Sequence, residues 1–123
     1  MTKALESLAG ADSELANRRF NNCANRAYYA CYQAAIAAVT RDGIQSTGVQ
    51  WSHEGGASSF DGILINRRTR YGSDLRGTID RIHAVRVRAD YGLQYVSEVE
   101  MQRIIRRARS FVAAINEHGE KGP

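Results

Sequence analysis

Proline is almost missing from this chain: the one proline, Pro123, is the last residue. Without an internal proline nothing forces a helix to break, so long helices are the default expectation. Lysine is nearly as scarce, because of the 17 Lys and Arg residues only Lys3 and Lys121 are lysines. No apolar run approaches the ~20 residues that span a bilayer, which argues against a membrane protein. The N-terminus also lacks the basic-then-apolar order of a signal peptide. Only two cysteines are present, Cys23 and Cys31. Placed on one helix they lie about 12 Å apart along the axis, too far for a disulfide. Two free thiols fit a reducing cytoplasm, which is the expected location. The three histidines are scattered, the cysteines lack the spacing of a zinc site, and no Gly-rich phosphate loop follows a strand. Neither a metal nor a cofactor is expected.

What the chain does contain is ordinary for a globular domain with one core. It has 123 residues, 43% hydrophobic and 24% charged, read as a single domain over 1–123. The net charge is +4 and the pI about 9.4. Arginine supplies nearly all of the positive charge, and its planar fork matches phosphate, so RNA or a nucleotide is a permitted partner. An arginine-rich surface with no such role stands beside that reading.

The periodicity predicts an all-α bundle of four to five helices running up and down. A first short helix is expected over 3–15, with Leu5, Leu8 and Leu15 near one side. The longest covers 18–41 and ends at Asp42-Gly43; its alanines favour helix and allow a neighbour to approach closely. A broken or short helix is expected over 53–66, with Phe60, Ile63 and Leu64 apolar. Ser73 reads as the N-cap of a helix from 74 to about 90, stopped by Gly92. The last helix opens on Ser97-Glu98-Val99-Glu100, a capping-box pattern. Its apolar face is Met101, Ile104, Ile105, Ala108, Phe111, Val112 and Ile115, at 3–4 spacing, with Arg106 and Arg107 read as exposed.

Two polar stripes interrupt this pattern. In "NRAYYACYQAA" Asn22, Arg26, Tyr29 and Gln33 share one face of an otherwise apolar helix. On the fourth helix the stripe Leu75, Ile79, Ile82 continues into Arg86 and Ala89, and Asp90 lies four residues after Arg86, where the two can pair. A charged pair at the inward phase is costly unless well satisfied. It marks either a partly exposed end of the stripe or a polar cleft in which the two stripes face each other. His53, in "WSHEGGASSF", lies at a loop-to-helix junction that brings it toward the same cleft.

The elements "ANRAYYACYQAAIAAV", "SHEG" and "RVRADYG", in this order, resemble the HEPN domains. The likeness is closest to their small prokaryotic subgroup with an Arg-x-x-Ala-Asp-Tyr signature, and it covers nearly the whole chain. The resemblance implies a helical bundle that usually dimerises, with a polar cleft near the dimer axis. It also implies a setting beside a minimal nucleotidyltransferase in a toxin–antitoxin pair, or in an RNA-cutting defence system. Carried over residue by residue, the cleft positions are Arg26, Tyr29, His53, Arg86, Asp90 and Tyr91. The ribonuclease branch of the family carries Arg, four to six residues, then His; the position here that resembles that His is Asp90. A formal match, Arg76 to His83, falls earlier in the helix and is expected from chance in a chain with 15 arginines.

Two functions therefore stay open. One is a metal-independent endoribonuclease of toxin or defence type. His53 would take the 2′-hydroxyl proton, and Arg86 with Arg26 would hold the phosphate, with Asp90 as the partner of Arg86. The other is a non-catalytic nucleotide-binding module or nucleotidyltransferase partner, with Tyr29 or Tyr91 stacked on a base or Tyr91 accepting a nucleotidyl group. The Ala-rich second helix, with the pairing habit of the resembled family, leads us to expect a homodimer.

Overall fold

The computed structural model describes residues 1–45, 53–91 and 96–120; the side chains of residues 53, 54, 90, 91 and 120 fall outside that description. The described elements are all helical: α1 (Thr2–Ala16), α2 (Phe20–Arg41), α3 (His53–Ser59) running into a π-helical segment (Phe60–Arg67), a 3-10 turn (Ser73–Leu75), α4 (Thr78–Tyr91) and α5 (Glu98–Glu120). The expected all-α bundle is what forms. No helix among the described residues is long and apolar enough to cross a membrane.

α2 is the central rod, packed against α1, α3, α4 and α5. Its alanines explain how one helix accepts so many neighbours. Ala24, Ala27, Ala30, Ala34, Ala35 and Ala38 are all buried, and with only a methyl group each they let backbones approach closely. α2 stops through a Schellman motif: Ile44 N–H donates to Val39 O at 2.9 Å and Gly43 N–H to Thr40 O at 3.0 Å. Gly43 takes φ +82° there, the left-handed conformation that suits glycine.

α5 buries all seven residues of its expected face. Phe111 meets Phe60 with ring centroids 4.9 Å apart. Ser97 caps the helix, its Oγ accepting the Glu100 N–H at 3.1 Å. The Glu100 carboxylate turns to Arg88 of α4, so it ties two helices together.

Three local expectations are corrected. In α1 the buried stripe is Ala4 and Ala11, with Leu8 and Leu15 partly buried and packed against the core. Leu5 is one residue out of phase and is exposed. The fourth helix starts at Thr78, because Gly77 at φ +76° interrupts the chain after the 3-10 turn. Asp61 accepts the Gly77 N–H at 2.9 Å and Thr78 Oγ1 donates to Leu75 O at 2.8 Å, which holds the break in place. The segment after α3 widens into π geometry, with Arg68 N–H donating to Ile63 O at 2.8 Å. The wider turn sets Phe60, Leu64 and Ile65 toward the core together.

Candidate functional site

The inward arginine of α4 meets α2. Arg86 Nε donates to Asn25 Oδ1 at 2.7 Å, and its guanidinium carbon lies 4.8 Å from the centre of the Tyr28 ring and 5.4 Å from that of Tyr29. The cation is tied at Nε by an amide oxygen and lies within cation–π range of two aromatic rings inclined at 66° to each other. These contacts fix where the guanidinium sits between α4 and α2.

The aromatic surface under Arg86 extends further. Tyr28 and Tyr29 meet edge to face at 5.2 Å, and Tyr28 stacks with Tyr32 at 6.0 Å. His83, one turn before Arg86 on α4, lies 5.2 Å from the Tyr28 ring. Tyr28 is buried, and Tyr29 is 43% exposed, so one ring is part of the core and the other offers a face to solvent. Burial raises the Tyr28 pKa above the ordinary phenol value, against the opposing pull of the Arg86 charge. Burial likewise raises Tyr32. Both therefore stay protonated near neutral pH and can act as hydrogen-bond donors, not bases.

The polar stripe read from α2 is only partly the one that faces α4. Gln33 hydrogen-bonds the Ser7 hydroxyl of α1 at 2.9 Å. The exposed Arg26 lies over Gly10 of α1, its Cδ 3.5 Å from where a β-carbon would sit on that glycine. That stripe follows the α1 edge of α2. The face turned to α4 carries Asn25 and Tyr28, one residue earlier in phase, Tyr32 continues it toward α3, and Tyr29 stands where the two faces meet. Tyr29 is thus brought to Arg86, whereas Arg26 is set against α1. The polar stripe read from the sequence does not include Asn25 and Tyr28; their spacing of three, followed by Tyr32 four residues on, is the signal that marks them.

His53 opens α3, and Gly56 three residues later packs on Ile36 and Tyr32 of α2, 3.0 and 3.6 Å from a β-carbon position. This brings the start of α3 beside the aromatic cluster. Asp90 and Tyr91 end α4, in the turn after Arg86. The side chains of His53, Asp90 and Tyr91 lie outside the described residues. The Arg76–His83 match does not form a unit on one helix. Arg76 sits before the break and donates to Asn66 Oδ1 at 3.0 Å, while His83 joins the Arg86 cluster. Among the described residues no three His, Cys, Asp or Glu side chains converge as a metal site.

Residues 1–118 match the family described as the HEPN domain. The chain belongs to the HEPN family, a helical family of general ribonuclease or nucleotide-related function. No curated protein matches the sequence.

Proposed function

We propose that this protein acts on RNA through the Arg86 site, as a toxin-type or defence-associated member of the Arg-x-x-Ala-Asp-Tyr subgroup. The observation that supports it is the placement of the Arg86 guanidinium by Asn25, Tyr28 and Tyr29. A guanidinium held in one place is suited to a phosphate, and the exposed Tyr29 face beside it is suited to stacking a base. The reaction is a metal-independent cleavage. His53 takes the 2′-hydroxyl proton, the 2′-oxygen attacks phosphorus, the P–O5′ bond breaks, and the leaving oxygen takes a proton from the protonated histidine or water. Arg86 offsets the charge that develops on the phosphoryl oxygens, with Asp90 supporting its side chain. His83 holds Tyr28 in place.

Arg86→Lys tests this directly. Lysine keeps the charge and loses the planar fork, so RNA binding and cleavage should fall at least ~10-fold, about 1.4 kcal/mol, with the circular dichroism spectrum unchanged. His53→Ala should abolish cleavage and leave binding intact. Wild-type rates in Arg86→Lys would overturn the proposal. RNA binding that depends on Arg86 with no cleavage by the wild type would instead establish the non-catalytic role, as a nucleotide-binding module or the partner of a minimal nucleotidyltransferase.

A further inference from the structure

A second basic feature lies on the other flank of α4. The groove between α4 and α5 has a volume of about 310 Å³ and is lined by Arg81 and Val85 from α4 and by Glu100, Arg103, Ile104 and Arg107 from α5. Val85 and Ile104 are buried and form its floor. Three arginines share one groove with a single carboxylate, and that carboxylate is engaged by Arg88. Among the described residues no carboxylate forms an ion pair with Arg81, Arg103 or Arg107.

Arg107 shows the cost of this arrangement. The sequence reads it as exposed, yet it is half-buried. Its Nη2 donates to Arg76 O at 3.2 Å, and its Nε is buried with no hydrogen-bond partner. Burial, then the like charge of Arg81, lowers its pKa from the ordinary arginine value, against the opposing attraction of Asp74. Like charges gathered at a partly desolvated groove repel one another, and an anion seated among them relieves that repulsion.

We infer that the α4–α5 groove is a phosphate-binding site for the RNA backbone, separate from the Arg86 site. It rests on the RNA-directed reading of Arg86 and narrows the ligand to a polynucleotide. Arg81 precedes Arg86 by five residues, about 7.5 Å along the helix axis, and lies on the opposite flank of α4. Between the flanks runs an exposed ridge that includes Asp80, Ala84 and Val87, along which a strand would pass one carboxylate. A ligand that reaches both sites must be a polynucleotide. A mononucleotide occupies the Arg86 site alone.

The test is the salt dependence of binding to a labelled single-stranded oligouridylate, read by fluorescence anisotropy. Arg81→Gln with Arg103→Gln removes two exposed cations and leaves the half-buried Arg107 in place. The slope of log affinity against log salt should become shallower by about 1.4, since each phosphate contact on a single strand contributes about 0.7. Uridine monophosphate binding should be unchanged. Lys3→Gln with Arg67→Gln, a charge-matched control on exposed positions elsewhere, should keep the wild-type slope. Circular dichroism checks folding, and Arg103→Gln alone, with an expected change of about 0.7, serves if the double variant is unstable. A wild-type slope in the groove variant while Arg86→Lys weakens binding overturns the groove and leaves the Arg86 site standing. Absence of oligouridylate binding by the wild type overturns both. Equal loss in the groove variant and the charge-matched control assigns the effect to net charge and overturns the groove.

Discussion

Arg86 shows how far one residue's surroundings depend on its neighbours' phase. Its inward position follows from the stripe Ile79, Ile82, Arg86, but its contacts are Asn25 and the two tyrosines. Arg26, one residue from Asn25, points to another helix. The cysteines are the clearest case of surroundings setting chemistry. Burial, then the charges of Asp12 and Glu14, pushes the Cys23 thiol up to about 12, and burial raises Cys31 as well. Because the thiolate is the nucleophile, neither cysteine should react with a thiol-specific disulfide reagent in the native protein near pH 8. Both should react in guanidinium chloride, and titration of released chromophore counts them. One fast equivalent under native conditions would mean that Cys23 is open to solvent.

At the scale of the element, the start of α4 is decided by Asp61, a residue of the preceding segment. Its carboxylate accepts the Gly77 N–H at the helix start. Burial, with the like charge of Asp80, nevertheless raises its pKa, against that hydrogen bond and the attraction of Arg76. A carboxyl whose folded pKa exceeds its unfolded value of about 3.9 contributes its stabilisation below that value and loses it as pH rises through the folded one. Asp61→Asn keeps an oxygen for Gly77 without the charge. Thermal melts should therefore show that the variant loses this acid-side contribution and matches or exceeds the wild type at neutral pH. Asp61→Ala removes the acceptor and should cost about 1 kcal/mol at neutral pH. An Asn variant as destabilised there as the Ala variant would show that the charge itself holds Gly77. Asp42 has the opposite sign: its hydrogen bond from Arg68 lowers its pKa, so its stabilisation is present above about pH 3.9 and disappears as pH falls through the folded value.

For the whole molecule, the alanine face that favours pairing from sequence is used within one chain. Its alanines are covered by α1, α4 and α5. A homodimer must use another surface, and Leu5 and Tyr29 are large apolar side chains left exposed. We expect light scattering to give twice the 13.6 kDa chain mass at concentrations on the order of tens of micromolar. Tyr29→Ala with Leu5→Ser should shift the mass toward the monomer. A monomer mass for the wild type at that concentration would remove the dimer.

The sequence by itself determined the elements whose rules are local. The buried face of α5 follows from 3–4 spacing against a charged background, the Ser97 cap from hydroxyl-to-amide reach, and the end of α2 from a glycine at the left-handed position. Tertiary structure alone decided the rotation of α2. A helix with alanine on several sides has no strong preferred face, so its orientation is set by the four helices around it, and they turn Asn25 and Tyr28 toward Arg86. The same holds for His83: Gly77 breaks the helix between it and Arg76, and it joins the Arg86 cluster instead. It holds too for Arg107, which reads as a surface residue until α4 closes over it and its charge becomes part of a groove.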